Sequence, residues 1–424
     1  MSFIKRTVYS AEADEKCLVA EHSSGLKVYI CEKPNLSSNY AVFGTHYGSV
    51  DTEFSLNNGP VISVPEGIAH FLEHKLFEYE DGDAFEKYAV TGASANAYTS
   101  FDRTCYLFSC SDKFFENLDI LLDFVSVPYF TAETVQKEQG IIGQEIRMYQ
   151  DSPEWRVFFN LLRTLFSKHP VRIDIAGTIG SIAKITDKTL FDCYHTFYNP
   201  SNMFLCICGN MDQEKVLATV DSKIKTAEKT VINRSSFNEP DEVVNNYFEQ
   251  LMPVSIPLFN LGIKDNKAKL HRTHKTELAT ELLLEITAGS VSPLYNRLLN
   301  EGLLNSNFGF EYFFGHGYAA LFFEGESKSP ETVRDMLLSE LKAIAENGVD
   351  KELFEDAKRK LYGQEIRGCN SAERVVKGFI DCAMIGYEPY ETFSLLKDLT
   401  ADDITARARE LDLSKSALSV VKQK

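Results

Sequence analysis

The chain has 424 residues, and its 61 acidic side chains against 44 lysines and arginines give a net charge of −17. That balance, with no basic cluster interleaved with aromatics, argues against nucleic acid as a partner. The length exceeds one ordinary core, so two domains or two halves are expected. No apolar run approaches the ~18 residues that cross a bilayer. The start, Met1-Ser2-Phe3-Ile4-Lys5-Arg6, runs into polar, acidic sequence rather than a secretory leader. Nine cysteines at irregular spacing point to free thiols in a reducing compartment, and a cytoplasmic protein is expected.

In chain order, strands are predicted near 17–22, 26–32 and 40–47. Next, Ser63-Val64-Pro65-Glu66-Gly67 reads as a helix start with Pro65 near the first helical position. The helix it opens carries His70-Phe71-Leu72-Glu73-His74, an H-x-x-E-H pattern. Two imidazoles four residues apart on a helix project from one side and can reach a single Zn²⁺. Glu73, between them, is close enough to act as general base on a zinc-bound water. At this composition the pattern would arise by chance about 0.03 times, so it carries information. Ile68, Leu72 and Leu76 line the opposite side and Phe71 and Phe77 add apolar surface, so the helix is expected to be buried. Two histidines packed in a core are the alternative, but burying such groups unpaired costs on the order of a few kcal/mol each.

A helix near 83–90, strands near 94–99 and 103–110 and a helix near 113–126 follow. Thr131 to Tyr149 reads as a long helix capped by Thr131, with Val135, Ile141, Ile142 and Ile146 at helical spacing. It carries Glu138 and Glu145, seven apart and so on one face, about 10 Å apart along the axis. A hydrolytic zinc site needs a third ligand. One of these glutamates can supply it and the other can brace a histidine, but spacing does not choose between them. Asp151-Ser152-Pro153-Glu154 starts a helix near 154–167, where Trp155 reads as a packing residue. A helix near 187–198, a strand near 202–208 and a helix near 212–224 complete the first half. Cys206 and Cys208 share one face of that strand and read as a reduced core pair.

Residues 226–245 are polar and read as a linker between domains 1–225 and 246–424. The second half repeats the order loosely. A strand near 257–263 precedes helices near 276–289 and 293–301, then strands near 306–313 and 318–325. Helices near 330–346, 351–366, 371–386 and 401–411 and a strand near 416–421 follow. His271 and His274 lie in a charged stretch without a suitable acid, and His316 reads as a hairpin-turn residue. Strands and helices in blocks imply an α+β fold of two similar halves, each a mainly antiparallel sheet layered with helices.

The motif, some seventy residues, then Glu138-Gln139-Gly140-Ile141-Ile142-Gly143-Gln144-Glu145-Ile146 resembles the pitrilysin/insulinase zinc metallopeptidases. That family includes the mitochondrial processing peptidases and their small bacterial relatives. Gly67 and Phe77 flank the motif as in the family, Gly92-Ala93-Ser94-Ala95-Asn96-Ala97-Tyr98-Thr99 resembles its G-x-x-x-N-A-x-T strand, and Thr104 and Tyr106 fit the T-x-Y that follows. The resemblance is specific over about residues 40 to 210. It implies one zinc ion held by His70, His74 and Glu145, Glu73 as catalytic base, and Glu138 as the buried acid behind the ligands. It also implies an exposed strand edge at Asn96 and Ala97 that pairs with the substrate backbone.

The implied activity is that of a zinc endopeptidase acting on short or unfolded peptides in an enclosed chamber. The alternative is a zinc-bearing scaffold subunit with little or no activity, although a scaffold has no use for Glu73. The implied partners are peptides and a second subunit, in a homodimer or a heterodimer with a related zinc-free chain. One departure stands out. Many relatives carry an Arg and a Tyr in the second half, and here Leu299 and Leu304 or Asn305 occupy those places. Arg297 and Tyr312 are the candidate substitutes.

Overall fold

The computed structural model describes residues 2–80, 82–225, 228–266 and 272–424, so His271 and part of the 226–245 stretch lie outside the described residues. Two compact units make up the chain. The first contains Met1–Ile146, Asp174–Ser235 and Glu365–Glu391, and the second contains Arg147–Ile173, Ser236–Gln364 and Thr392–Lys424.

The first unit is built on a seven-stranded sheet. Its order is Phe3–Ser10, Glu15–His22, Lys27–Glu32, Met203–Gly209, Asn39–Thr45, Thr104–Cys110, Ser94–Thr99. All pairings are antiparallel except Met203–Gly209 with Lys27–Glu32. The second unit has five strands in the order Tyr247–Met252, Ser416–Gln423, Leu258–Lys264, Tyr318–Glu326, Gly309–Gly315. Here too one pair is parallel, Tyr247–Met252 with Ser416–Gln423. Read from the parallel pair outwards, the last five strands of the first sheet and the five of the second have the same order and directions. The fold is therefore α+β with two sheet-and-helix halves, as the pattern of elements predicts.

The units do not follow a single cut near 226–245. Helix Pro153–Leu165 belongs to the second unit, where Leu161 and Leu165 pack on the sheet at Gly262. A side chain there would meet Leu165 Cδ1 at 2.6 Å, so the close approach requires glycine. Helix Ala372–Ile385 belongs to the first unit, where Val376, Phe379 and Ile380 cover Tyr29, Val42, Phe204 and Cys206. Each sheet thus has one face covered by a helix from the other half of the sequence.

The supposed linker is also partly built in. Ile232–Arg234 pairs with Glu53–Leu56. Further on, Glu239 forms a buried ion pair with Lys264 at 2.8 Å and accepts the backbone N–H groups of Ser167, Lys168 and His169. Lys264 also donates to the carbonyls of Leu165, Pro240 and Glu242. All nine cysteines are free and eight are buried, Cys206 and Cys208 fully so. His316 sits in the turn between Gly309–Gly315 and Tyr318–Glu326, and Trp155 stacks on Tyr149 with ring centres 4.3 Å apart. No helix among the described residues is long and apolar enough to cross a membrane.

Candidate metal centre

The motif helix runs Ile68–Leu76 and is buried on nearly every side, with His74 partly open. It begins three residues later than Pro65 suggested. Pro65 lies ahead of the helix, and Gly67 is the N-cap at φ 86°. A Cβ on Gly67 would lie 2.4 Å from the carbonyl oxygen of Ala176, so a left-handed turn and a crowding backbone both demand glycine here. The long helix runs Ala132–Asp151, and Thr131 Oγ1 caps it by accepting Thr134 N–H at 3.2 Å.

These two helices bring His70, His74 and Glu145 together. Their candidate ligand atoms all lie within 4.8 Å of one another, the one such group of three or more among the described residues. His70 Nε2 is 3.7 Å from Glu145 Oε1 and His74 Nε2 is 3.6 Å from Glu145 Oε2. Those separations are long for hydrogen bonds. Ligands about 2.0–2.1 Å from a common tetrahedral ion stand roughly 3.3–3.4 Å apart; the two imidazole–carboxylate separations, one to each oxygen of Glu145, come near that, within a group that spans up to 4.8 Å. Two imidazole nitrogens and one carboxylate oxygen also form a donor set suited to zinc. The residues fit the metal.

Glu138, buried in the long helix, bonds His74 Nδ1 through Oε1 at 2.9 Å. That bond places the proton on Nδ1 and leaves the Nε2 lone pair facing Glu145. Thus Glu145 joins the imidazoles and Glu138 stands behind one of them, a choice that helical spacing left open. The Nδ1 of His70 is buried and has no partner among the described residues.

The electrostatics favour a cation. Burial alone would lower the His74 pKa, but the Glu138 bond and the charges of Glu73, Glu138 and Glu145 outweigh it and the net shift is upward. His70 has no hydrogen-bonded carboxylate, and burial, with His74 beside it, lowers its pKa to about 3. Burial chiefly raises Glu73, aided by Glu145 and opposed by a Thr99 hydrogen bond and by His74. Three carboxylates thus converge on two imidazoles, with His74 and Glu145 partly open to solvent.

Asn96 and Ala97 lie on Ser94–Thr99, the outermost strand of its sheet. Thr99 meets Glu73 on the motif helix, so by alternation Ala97 shares that face while Asn96 points to the other. Asn96 Oδ1 accepts the Ala97 N–H at 2.9 Å. Thr99 is a further residue of the site, with no role evident from its residue type. Its signal was present in the position that closes the G-x-x-x-N-A-x-T strand, but only the structure shows what its hydroxyl touches. In the second unit, Tyr312 donates to Asp265 at 3.0 Å beside the buried Arg407, so its hydroxyl is committed there. Arg297 is exposed on helix Pro293–Asn300, Leu299 packs against the unit's core, and Asn305 bonds Glu326.

Fold and centre define the class: twin sheet-and-helix halves with one candidate metal site, in the first half. Residues 63–179 match the profile described as insulinase (peptidase family M16), and residues 184–361 match the M16 inactive domain. The chain is 40% identical to the uncharacterized zinc protease YmfH of Bacillus subtilis, over 94% of both sequences. Among solved structures, a protein of Alicyclobacillus acidocaldarius described as M16-like superposes with TM-score 0.90 at 32% identity, covering 100% of this chain and 99% of that one. A protease of Helicobacter pylori shares the fold with TM-score 0.80 at 18% identity, covering 99% of this chain and 100% of that one. The chain belongs to the M16 (insulinase/pitrilysin) peptidase family.

Proposed function

We propose that this chain is a zinc-dependent endopeptidase that hydrolyses short or unfolded peptides within an enclosed chamber. The convergence of His70, His74 and Glu145, with Glu73 left outside the ligand set, is the observation that carries the reading. When bound by these three residues, zinc supplies a Lewis acid that polarises the scissile carbonyl and makes water more acidic. Glu73, its pKa raised by burial, accepts the proton of the attacking water and returns it to the leaving amine. Glu138 holds His74 in the tautomer that ligates. Ala97, on the open strand edge, takes the substrate backbone as an added strand. Leu299 and Asn305 cannot provide the charge and hydroxyl that many relatives place in the second half, so full activity is expected in a dimer, with a second copy or a related zinc-free chain. The working compartment is the cytoplasm.

The test is zinc content and peptide turnover of the wild type and Glu73→Gln, each alone and with candidate partner chains. Metal retained with turnover reduced at least a hundred-fold supports the assignment. Zinc-loaded wild type that cleaves no peptide, even with partners present, favours the scaffold alternative.

A further inference from the structure

We propose that Thr99 is a positioning residue which couples occupancy of the open strand edge to the orientation of Glu73; this rests on the peptidase reading above. Thr99 is the last residue of the edge strand, and its Oγ1 donates to Glu73 Oε2 at 2.7 Å. The proton has one good destination. Thr104, its register partner on the next strand, lies 3.4 Å away hydroxyl to hydroxyl, but Thr104 spends its own proton on the Tyr47 carbonyl at 2.8 Å. Thr104 Oγ1 could only accept from Thr99, and at 3.4 Å it is a poorer acceptor than the carboxylate oxygen at 2.7 Å, so the Thr99 proton goes to Glu73. Thr104 and Tyr47 are fully buried, so the strand end beside Thr99 is anchored on its inner side.

The outer side of the same strand has no neighbour in the sheet among the described residues. A peptide pairing there would fix the strand along its length, and with it the hydroxyl that holds the Glu73 carboxylate. A mobile carboxylate reaches its proton-accepting geometry less often, so the bond acts on the chemical step rather than on peptide binding.

The experiment compares wild type, Thr99→Val and Thr99→Ser for zinc content, kcat and KM on peptides of increasing length. Thr99→Val should keep its zinc and its KM while kcat falls roughly 10- to 100-fold, the worth of a hydrogen bond to a charged group. Thr99→Ser should recover most of that rate. In the wild type kcat should rise as the peptide extends along the strand, and in Thr99→Val that dependence should vanish. The ¹³C resonance of the Glu73 carboxylate, identified by its loss in Glu73→Gln, should move in Thr99→Val and stay in place in Thr99→Ser. An unchanged kcat in Thr99→Val, or a serine variant as slow as the valine one, would overturn the coupling alone. A zinc-loaded wild type without turnover, even with candidate partner chains present, would overturn the peptidase reading and this inference together.

Discussion

Removing Glu138 should weaken metal binding without touching a ligand. Its carboxylate, 6% exposed, holds His74 Nδ1 at 2.9 Å, while the His74 ring itself is 27% exposed. Loss of such a partner typically costs 10- to 100-fold in metal affinity. Because water can reach part of the His74 ring, the lower part of that range applies. Glu138→Ala should therefore raise the zinc dissociation constant about 10- to 30-fold, or roughly 1.4–2 kcal/mol. Glu138→Gln retains an acceptor oxygen but loses the charge, which roughly halves the energy and predicts a three- to five-fold rise. Competition against a chromophoric chelator on metal-free protein at neutral pH measures both. An alanine variant within two-fold of wild type, or a glutamine variant weaker than alanine, would refute the role given to this side chain.

Two further substitutions test the scaffold. Gly67→Ala forces a side chain into a left-handed turn against the Ala176 carbonyl, and urea unfolding should show a loss of at least about 1–3 kcal/mol; wild-type stability would contradict the geometry. Glu239→Gln breaks a buried pair with Lys264, and at neutral pH it should cost about 3–5 kcal/mol. Burial opposes ionisation of Glu239, but Lys264 and three backbone N–H groups prevail and its pKa is lowered on folding. The stabilisation is thus present above the ordinary carboxylate range and is lost as pH falls through the depressed folded value. Denaturation curves of the two proteins should converge in acid, and a gap that persists or widens there would show the sign to be wrong.

Much of the site was legible in the sequence because it is local. His70, Glu73 and His74 are placed by one helical turn, and Glu138 and Glu145 by two turns of another. Periodicity also found most helices, and the interior strands, buried on both faces, showed themselves as short apolar runs. It missed Phe3–Ser10, a strand exposed along most of its length, and the short or outer strands at Glu53–Leu56, Val61–Ser63 and Tyr247–Met252. Such strands bury too little apolar surface to imprint a pattern. Pro65 misled because it normally opens a helix, whereas here the crowding backbone at Ala176 sets the start at Gly67.

What the amino-acid order determined by itself was the donor set and the elements that carry it, since turn geometry fixes which side chains share a face over a few residues. The tertiary structure decided what depends on distant strands and helices meeting. It brought Glu145, rather than Glu138, into the candidate metal group with the two imidazoles and set the Thr99 hydroxyl against Glu73. It also exchanged helices Pro153–Leu165 and Ala372–Ile385 between the two units. Those outcomes come from burying apolar faces across the whole chain, a sum over remote contacts that no local window contains.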